Sequence, residues 1–324
     1  MDKKIDSRPL VSVVVCTYKR PLFLKKCLES LLSNTYRHYE IIIVGQGADH
    51  TSQVVVADHF KNHPKMRCVH TETVGLSPAR NTGCEDARGD VIAFIDDDAV
   101  ASPEWMEGYV EAFQQVEPTP GMVGGRIEPL WENQRPGWYP AEREFLLGLY
   151  NIGDTIRPFP DTDLPVGANF AVLRSVVRRL GGFDERLGFN TDRKHSMIAG
   201  EDSLYALRIK EAGYPICYQP KSKVYHHISS AKLTRKYFLK RHFWEGVTHV
   251  AVEFYRGSST RNRLRGHLFW NFKKTLATGV ILPRIYLSNH ESKASQMMLK
   301  LSEMACSLGA CVKSLELIVK NKTN

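Results

Sequence analysis

The chain has 324 residues, 43% of them apolar and 24% charged, with Lys and Arg outnumbering Asp and Glu by 44 to 35. That length allows about two folded units, and the composition excludes a disordered or fibrous chain. The net charge of +9 is uneven: residues 229–324 hold 17 basic and 5 acidic side chains, while the remainder is slightly acidic. This excludes a nucleic-acid platform over the whole surface, and no nucleic acid is expected among the partners.

Charges at Asp2, Lys3, Lys4 and Asp6 occupy the place where a secretory signal needs its apolar centre. No stretch approaches the ~18 apolar residues of a membrane span, so a cytoplasmic protein is expected. Seven scattered cysteines without a Cys-x-x-Cys pair predict free thiols in a reducing compartment.

From Leu10 onward, short β-branched runs alternate with amphipathic stretches, the pattern of an α/β fold with a mainly parallel sheet covered by helices. The sequence predicts a strand at 11–16, a helix opened by Pro21, a strand at 39–44, a helix at 51–60 and a strand at 66–70. A helix at 77–87 follows, with Ser77 as its cap and Pro78 at its first position. The strand at 91–95 runs directly into Asp96, Asp97 and Asp98. A helix at 103–116 and a strand near 122–127 lead into a Pro- and Trp-rich stretch, 129–163. That stretch is long for a plain loop. Its Trp131, Trp138, Tyr139, Phe145 and Tyr150 are either buried or offer flat faces on which a ligand could rest. A block from Val166 carries a helix to Leu180, and Gly200-Glu201-Asp202 opens a helix reaching Ala212. Two short strands, 216–218 and 223–226, close this domain.

Basic helices without strands follow from about Ala231. The last, 292–320, repeats apolar residues at Ala294, Met298, Leu301, Ala305, Leu308, Val312, Leu315 and Val319. This heptad seam is expected to pack on the first domain or to form a homodimer.

Three features suggest chemistry. Adjacent carboxylates repel and raise one another's pKa, so Asp96 to Asp98 beyond a buried strand suit a hard cation, Mg²⁺ or Mn²⁺, unless they form a solvated turn. Asp96 and Asp98 point the same way if the strand continues. Such a cation takes further ligands from phosphate oxygens, which makes a nucleoside diphosphate its natural companion. Glu201-Asp202 at a helix start is either a cap or a base facing a hydroxyl. His226-His227 is either structural or a metal and phosphate contact.

Six blocks occur in one order: Val11 to Arg20, Gly75-Leu76-Ser77-Pro78-Ala79-Arg80-Asn81, Ala93 to Asp98, Gly167-Ala168-Asn169-Phe170, Gly181-Gly182-Phe183-Asp184-Glu185 and Gly200-Glu201-Asp202. In this the sequence resembles the family 2 glycosyltransferases of the GT-A fold. The resemblance covers 9–228 and leaves 229–324 as a C-terminal helical extension. It implies an inverting transferase in which Thr17, Tyr18 and Arg20 cradle base and ribose, Arg80 lies beside the nucleotide, and Asp96 sits nearer the ribose. Asp98 would ligate the metal, with His226 completing the site, and Asp202 would be the catalytic base. The chain lacks the membrane spans and Gln-x-x-Arg-Trp motif of processive members, so a non-processive enzyme is expected. Its expected partners are a nucleotide-sugar donor and a glycan or lipid-linked acceptor in cell-surface polysaccharide synthesis.

One departure concerns the donor. Where the family commonly has Asp-Asp-Gly-Ser after the second strand, this sequence reads Gly45-Gln46-Gly47-Ala48. The Gln46 amide both donates and accepts, so it could serve uracil, thymine or another base. A metal-dependent nucleotidyltransferase and a non-catalytic nucleotide-sugar-binding relative are the competing readings. In the extension, Arg235-Lys236, Lys240-Arg241, Arg261, Arg263, Arg265 and Lys273-Lys274 interleave with aromatic residues. That segment suits an anionic membrane surface, placing the protein peripherally at the inner face of the plasma membrane, or else it is a solvated basic face.

Overall fold

A computed structural model describes residues 7–190, 192, 196–287 and 293–320. The reading placed on Asp2 to Asp6 and the start of the last helix at Ser292 lie outside the described residues. Buried on both faces, the β-branched run of β1 (Val11–Cys16) pairs in parallel with β2 (Tyr39–Gln46) on one side and β4 (Val91–Asp96) on the other. β3 (Met66–Thr71) extends the sheet beyond β2. The crossovers are α1 (Pro21–Leu32), α2 (Thr51–Phe60) and α3 (Leu76–Asp86). α3 lies close over β1 because Gly83 has no side chain; a Cβ there would fall 2.4 Å from Val14.

Further along come β5 (Ala99–Ala101), α4 (Trp105–Gln115), β6 (Met122–Trp131), β7 (Arg157–Pro158), β8 (Asn169–Leu173), α5 (Arg174–Leu180), α6 (Glu201–Glu211) and β9 (Ile216–Ile228). The sheet order is β3-β2-β1-β4-β8-β6-β9-β5, with β7 paired to β9. From β1 the chain winds outward to β2 and β3, then returns to the other side for β4. This reversal opens a crevice beyond the C-terminal ends of β1 and β4, where α/β sheets place ligands.

Asn169 ties the antiparallel half together. Its amide oxygen accepts from Trp105 Nε1 at 2.7 Å and the Tyr109 hydroxyl at 2.6 Å, and its nitrogen donates to the Arg126 and Ser222 carbonyls, both at 2.8 Å. With the residue fully buried, every hydrogen-bonding site of that amide is filled.

Three sequence expectations change. The two short strands are one continuous β9, in which Pro220 falls between the residues paired to β7 and those paired to β5. α3 starts one residue early, and Ser77 does not cap it: its hydroxyl donates to the Leu187 carbonyl at 2.8 Å. Stretch 129–163 contains the end of β6, a 3₁₀ segment at Ala141–Leu147 and β7. Most of its aromatic residues are packed: Tyr150 stacks on Phe159 at 5.2 Å, and Tyr139 meets Phe238 edge-on at 4.9 Å. Phe145 is exposed.

The described residues fall into two compact units, one drawn from Met1–Leu130, Gly148–Asp192 and Glu201–His227, the other from Trp131–Leu147, Arg193–Gly200 and Ile228–Asn324. The second unit is built on α7 (Arg235–Tyr255), α8 (Arg261–Leu287) and α9 (Lys293–Lys320). Thr234 caps α7, accepting from the Tyr237 N–H at 3.2 Å. α7 and α9 touch through glycine: a Cβ on Gly246 would fall 1.8 Å from the Cys306 carbonyl oxygen, and one on Gly309 1.8 Å from that of Phe243. The buried face of α9 is therefore its small-residue face, with Ser302, Gly309, Ala310 and Ser314, since close backbone approach favours small side chains. In consequence the second half of the heptad seam, Leu308, Val312, Leu315 and Val319, faces solvent, although Met298 is buried. All seven cysteines are free thiols. No helix among the described residues is long and apolar enough to cross a membrane.

Candidate active site

Strand register assembles the carboxylates. Cys16 pairs with Asp96 across β1 and β4, so the residues that follow, Thr17 and Asp97, meet just beyond the strand ends. There the Thr17 hydroxyl donates to Asp97 at 2.8 Å. Ala99 pairs with His226 across β5 and β9, which sets the imidazole beside Asp98: His226 Nε2 lies 3.3 Å from Asp98 Oδ1, and the His227 N–H donates to the Asp98 carbonyl at 2.9 Å. One ligand atom each from Asp96, Asp98 and His226 lies within 4.8 Å of the others. β4 ends at Asp96, so the strand does not carry on to Asp98; the turn at 97–98 brings the two alternate aspartates together while Asp97 is buried.

Arg20 bridges Asp97 and Asp98, with Nη1 3.1 Å from an oxygen of each. The turn before it is held by Lys19 in a left-handed conformation, φ 56°, with its N–H on the Asp49 carboxylate. Burial drives the Asp97 carboxyl up to about 7 against the opposing pull of Arg20, and Asp98 adds to the rise. Burial raises Asp96 too; Arg80 opposes the rise and Asp98 reinforces it.

Behind this cluster lies a buried ion pair. Arg80 of α3 donates to Glu201 at 2.7 Å and to the Gly167 carbonyl at 2.8 Å, and stands 3.8 Å from Asp96. Glu201 and Asp202 occupy the first turn of α6, where the helix dipole favours carboxylates. Burial first, then the neighbouring Asp202, raises Glu201 to about 7 despite Arg80. Asp202 accepts from the Ser203 N–H at 2.7 Å. Its other oxygen lies 2.9 Å from where a Cβ on Gly167 would sit, so the glycine makes room for it.

The sequence-predicted residues take different places. Asp96, Asp98 and His226 come together, and Arg80 links Asp96 to the start of α6. Tyr18 is partly open and Arg20 half-exposed, whereas the Thr17 hydroxyl is committed to Asp97. Gln46 is buried with its amide used at both ends: Nε2 donates to the Thr17 carbonyl at 3.2 Å, and Oε1 accepts from the Gly75 N–H at 2.9 Å. It therefore joins the β1 and α3 turns. Sequence reading missed Glu201 as the partner of Arg80. The available signal was an arginine on the helix face that covers a β-branched strand, since a buried guanidinium requires a carboxylate.

Residues 12–181 match the family described as Glycosyl transferase family 2. The chain belongs to glycosyltransferase family 2. This transferase is 31% identical over 243 residues, 74% of its length and 75% of the other chain, to the glucosyl-dolichyl phosphate glucuronosyltransferase of Haloferax volcanii. Its fold is that of the GT-A glycosyltransferases. It resembles the mannosyltransferase PcManGT from Pyrobaculum calidifontis, solved with GDP-Man and Mn²⁺, at TM-score 0.61 and 19% identity over 95% of this chain and 87% of that one. It also resembles GalNAc-T7, solved with UDP, GalNAc and Mn²⁺, at TM-score 0.54 and 15% identity, covering 76% of this chain and 51% of that one. Membership favours sugar transfer over nucleotidyl transfer and over a non-catalytic relative.

The donor set of this glycosyltransferase fits a divalent cation. Two carboxylates and an imidazole suit Mn²⁺, and the oxygens alone suit Mg²⁺. Charge supports the same conclusion: Asp96, Asp97, Asp98, Glu201 and Asp202 are faced by Arg20 and Arg80. Five carboxylates against two guanidiniums leave room for added positive charge.

Proposed function

We propose that this glycosyltransferase moves one sugar per encounter from a nucleoside-diphosphate sugar to a hydroxyl of a glycan or lipid-linked acceptor, with inversion, in cell-surface polysaccharide synthesis. The observation that carries the reading is the convergence of Asp96, Asp98 and His226 at the switch-point crevice, with Arg80 joining Asp96 to the helix start that holds Asp202. A divalent cation held by Asp98, His226 and Asp96 would neutralise charge on the departing diphosphate. Asp202 accepts the proton of the acceptor hydroxyl as that oxygen attacks the anomeric carbon from the face opposite the leaving group. One displacement inverts the anomeric centre, and no second carboxylate is needed as a nucleophile. Arg80 and Glu201 hold Asp202 and Asp96 in position. Tyr18 and Arg20 border the donor, and Gln46 shapes the base side by fixing the turns around it. The dolichyl phosphate in the relative's name supports a lipid-linked acceptor, which implies a peripheral site of action at a membrane surface.

The test is Asp202→Asn beside Asp98→Ala. Asp202→Asn should retain Mn²⁺-dependent thermal stabilisation by UDP, GDP or dTDP while turnover with the matching nucleotide sugar falls at least a hundredfold. Asp98→Ala should lose the stabilisation itself. Full turnover in Asp202→Asn removes that residue from the base role; stabilisation unchanged in Asp98→Ala removes the metal assignment.

A further inference from the structure

Among the described residues of its unit, none covers the outer face of α8. Leu264 and Thr278 are buried, and with Leu268, Asn271, Thr275 and Leu282 they make a narrow seam packed inward. Around the rest of the helix, Phe269 is 61% exposed, Trp270 71%, Phe272 55%, Leu276 56% and Val280 64%. Phe269, Phe272, Leu276 and Val280 follow one another at helical spacing and form one stripe, with Trp270 beside it. Aromatic side chains carry about 150–250 Å² each, so these fractions leave on the order of 600 Å² of apolar surface. That is at the upper end of the largest patch on a typical monomer, roughly 300–600 Å².

The charge on α8 selects what covers this face. Over its 27 residues the helix carries Arg261, Arg263, Arg265, Lys273, Lys274 and Arg284 and no Asp or Glu. The Lys273 amine lies 4.4 Å from the Phe269 ring centroid, its stem along the apolar surface and its charge beside the aromatic face. The acidic residue met from α7, Glu253, is occupied by His267 at 2.7 Å. A second copy of the same face would set cations against cations across a two-fold interface. An anionic lipid surface supplies the opposite charge together with an apolar layer. The helix is also too polar to span a membrane, which leaves it lying in the interfacial plane.

We propose that α8 docks on an anionic lipid bilayer through Phe269, Trp270, Phe272, Leu276 and Val280, with Arg265, Lys273 and Lys274 on the lipid phosphates. This deepens the lipid-linked acceptor reading and rests on it for its purpose, but the docking face is tested apart from catalysis. The full chain is sedimented with vesicles of equal parts phosphatidylglycerol and phosphatidylcholine at low salt, and with pure phosphatidylcholine. Strong binding to the first and at least tenfold weaker binding to the second are expected. Phe269→Glu/Trp270→Glu should abolish sedimentation, and Lys273→Gln/Lys274→Gln should weaken it roughly twenty-five-fold, about fivefold per charge. Both variants should keep the helical circular dichroism and the Mn²⁺–nucleoside diphosphate thermal shift of the parent, because Asp96, Asp98 and His226 belong to the other compact unit. Equal sedimentation of parent and Phe269→Glu/Trp270→Glu overturns the proposal, as does equal binding to neutral vesicles. A dimeric parent that becomes monomeric in that variant, without vesicle binding by either, assigns the face to a second copy instead. Loss of the nucleotide shift with Asp98→Ala is indifferent to these outcomes, so either reading can fail alone.

Discussion

Replacing Arg80 by Met tests how the site is supported. The guanidinium and the Glu201 carboxylate are 2% and 3% exposed and 2.7 Å apart, and breaking one partner of such a buried pair costs about 3–5 kcal/mol. The hydrogen bond to the Gly167 carbonyl adds roughly 1 kcal/mol. Protonation limits the loss. Glu201 is already raised to about 7 with Arg80 present, and without it the carboxyl rises further. A group whose folded pKa lies above its unfolded value loses its stabilising contribution as pH rises through the folded value. The penalty of Arg80→Met therefore grows from pH 6 to pH 9. At pH 9 we expect about 3–4 kcal/mol, or roughly 6–16 °C in melting temperature for a unit of this size. The assay is thermal unfolding in EDTA at pH 6 and pH 9 for Arg80→Met, Glu201→Gln and the double variant. The double variant should recover at least half of the loss, since it leaves no unpaired buried charge. A single variant melting within about 2 °C of the parent at pH 9, or a double variant less stable than Arg80→Met, would refute the buried-pair account.

Two further predictions concern the helical unit. His242 is buried with Nδ1 against the Phe238 carbonyl at 2.7 Å, and burial pushes its pKa down to about 4. Its stabilising contribution is complete above about pH 6.5 and fades as pH falls toward 4, by about 3 kcal/mol in all; His242→Phe should flatten this acid limb in thermal melts. Gly309→Leu must separate α7 from α9 where a Cβ already falls 1.8 Å from the Phe243 carbonyl. It should cost about 3 kcal/mol or more and lower the melting of the helical signal; an unchanged melt would mean the helices do not pack through this glycine.

Much of the catalytic fold was legible in advance because its signals are local. β1, α2 and the strand before Asp96 follow from β-branched runs and helical spacing, and the Asp-x-Asp pattern announces itself as charge placed directly after an apolar strand. Less local features were missed. The strands expected at 216–218 and 223–226 are joined in one β9, whose pairing partners are a property of the assembled sheet. The α9 seam obeys a heptad, but glycines on α7 and α9 turned a different face inward.

By itself the sequence determined the alternation of strands and helices, the identity of the carboxylates and imidazole, and the concentration of basic residues in the last third. Tertiary structure alone decided that Asp96, Asp98 and His226 share one point and that Arg80 is bound to Glu201 and not open to solvent. It also decided that Gln46 is spent on two backbone turns and that the aromatic residues of α8 face outward. The reason is physical: periodicity and propensity act over a few residues, whereas strand register, close helix approach and the pairing of buried charge join residues about 60 to 130 positions apart, and only the folded chain brings them into contact.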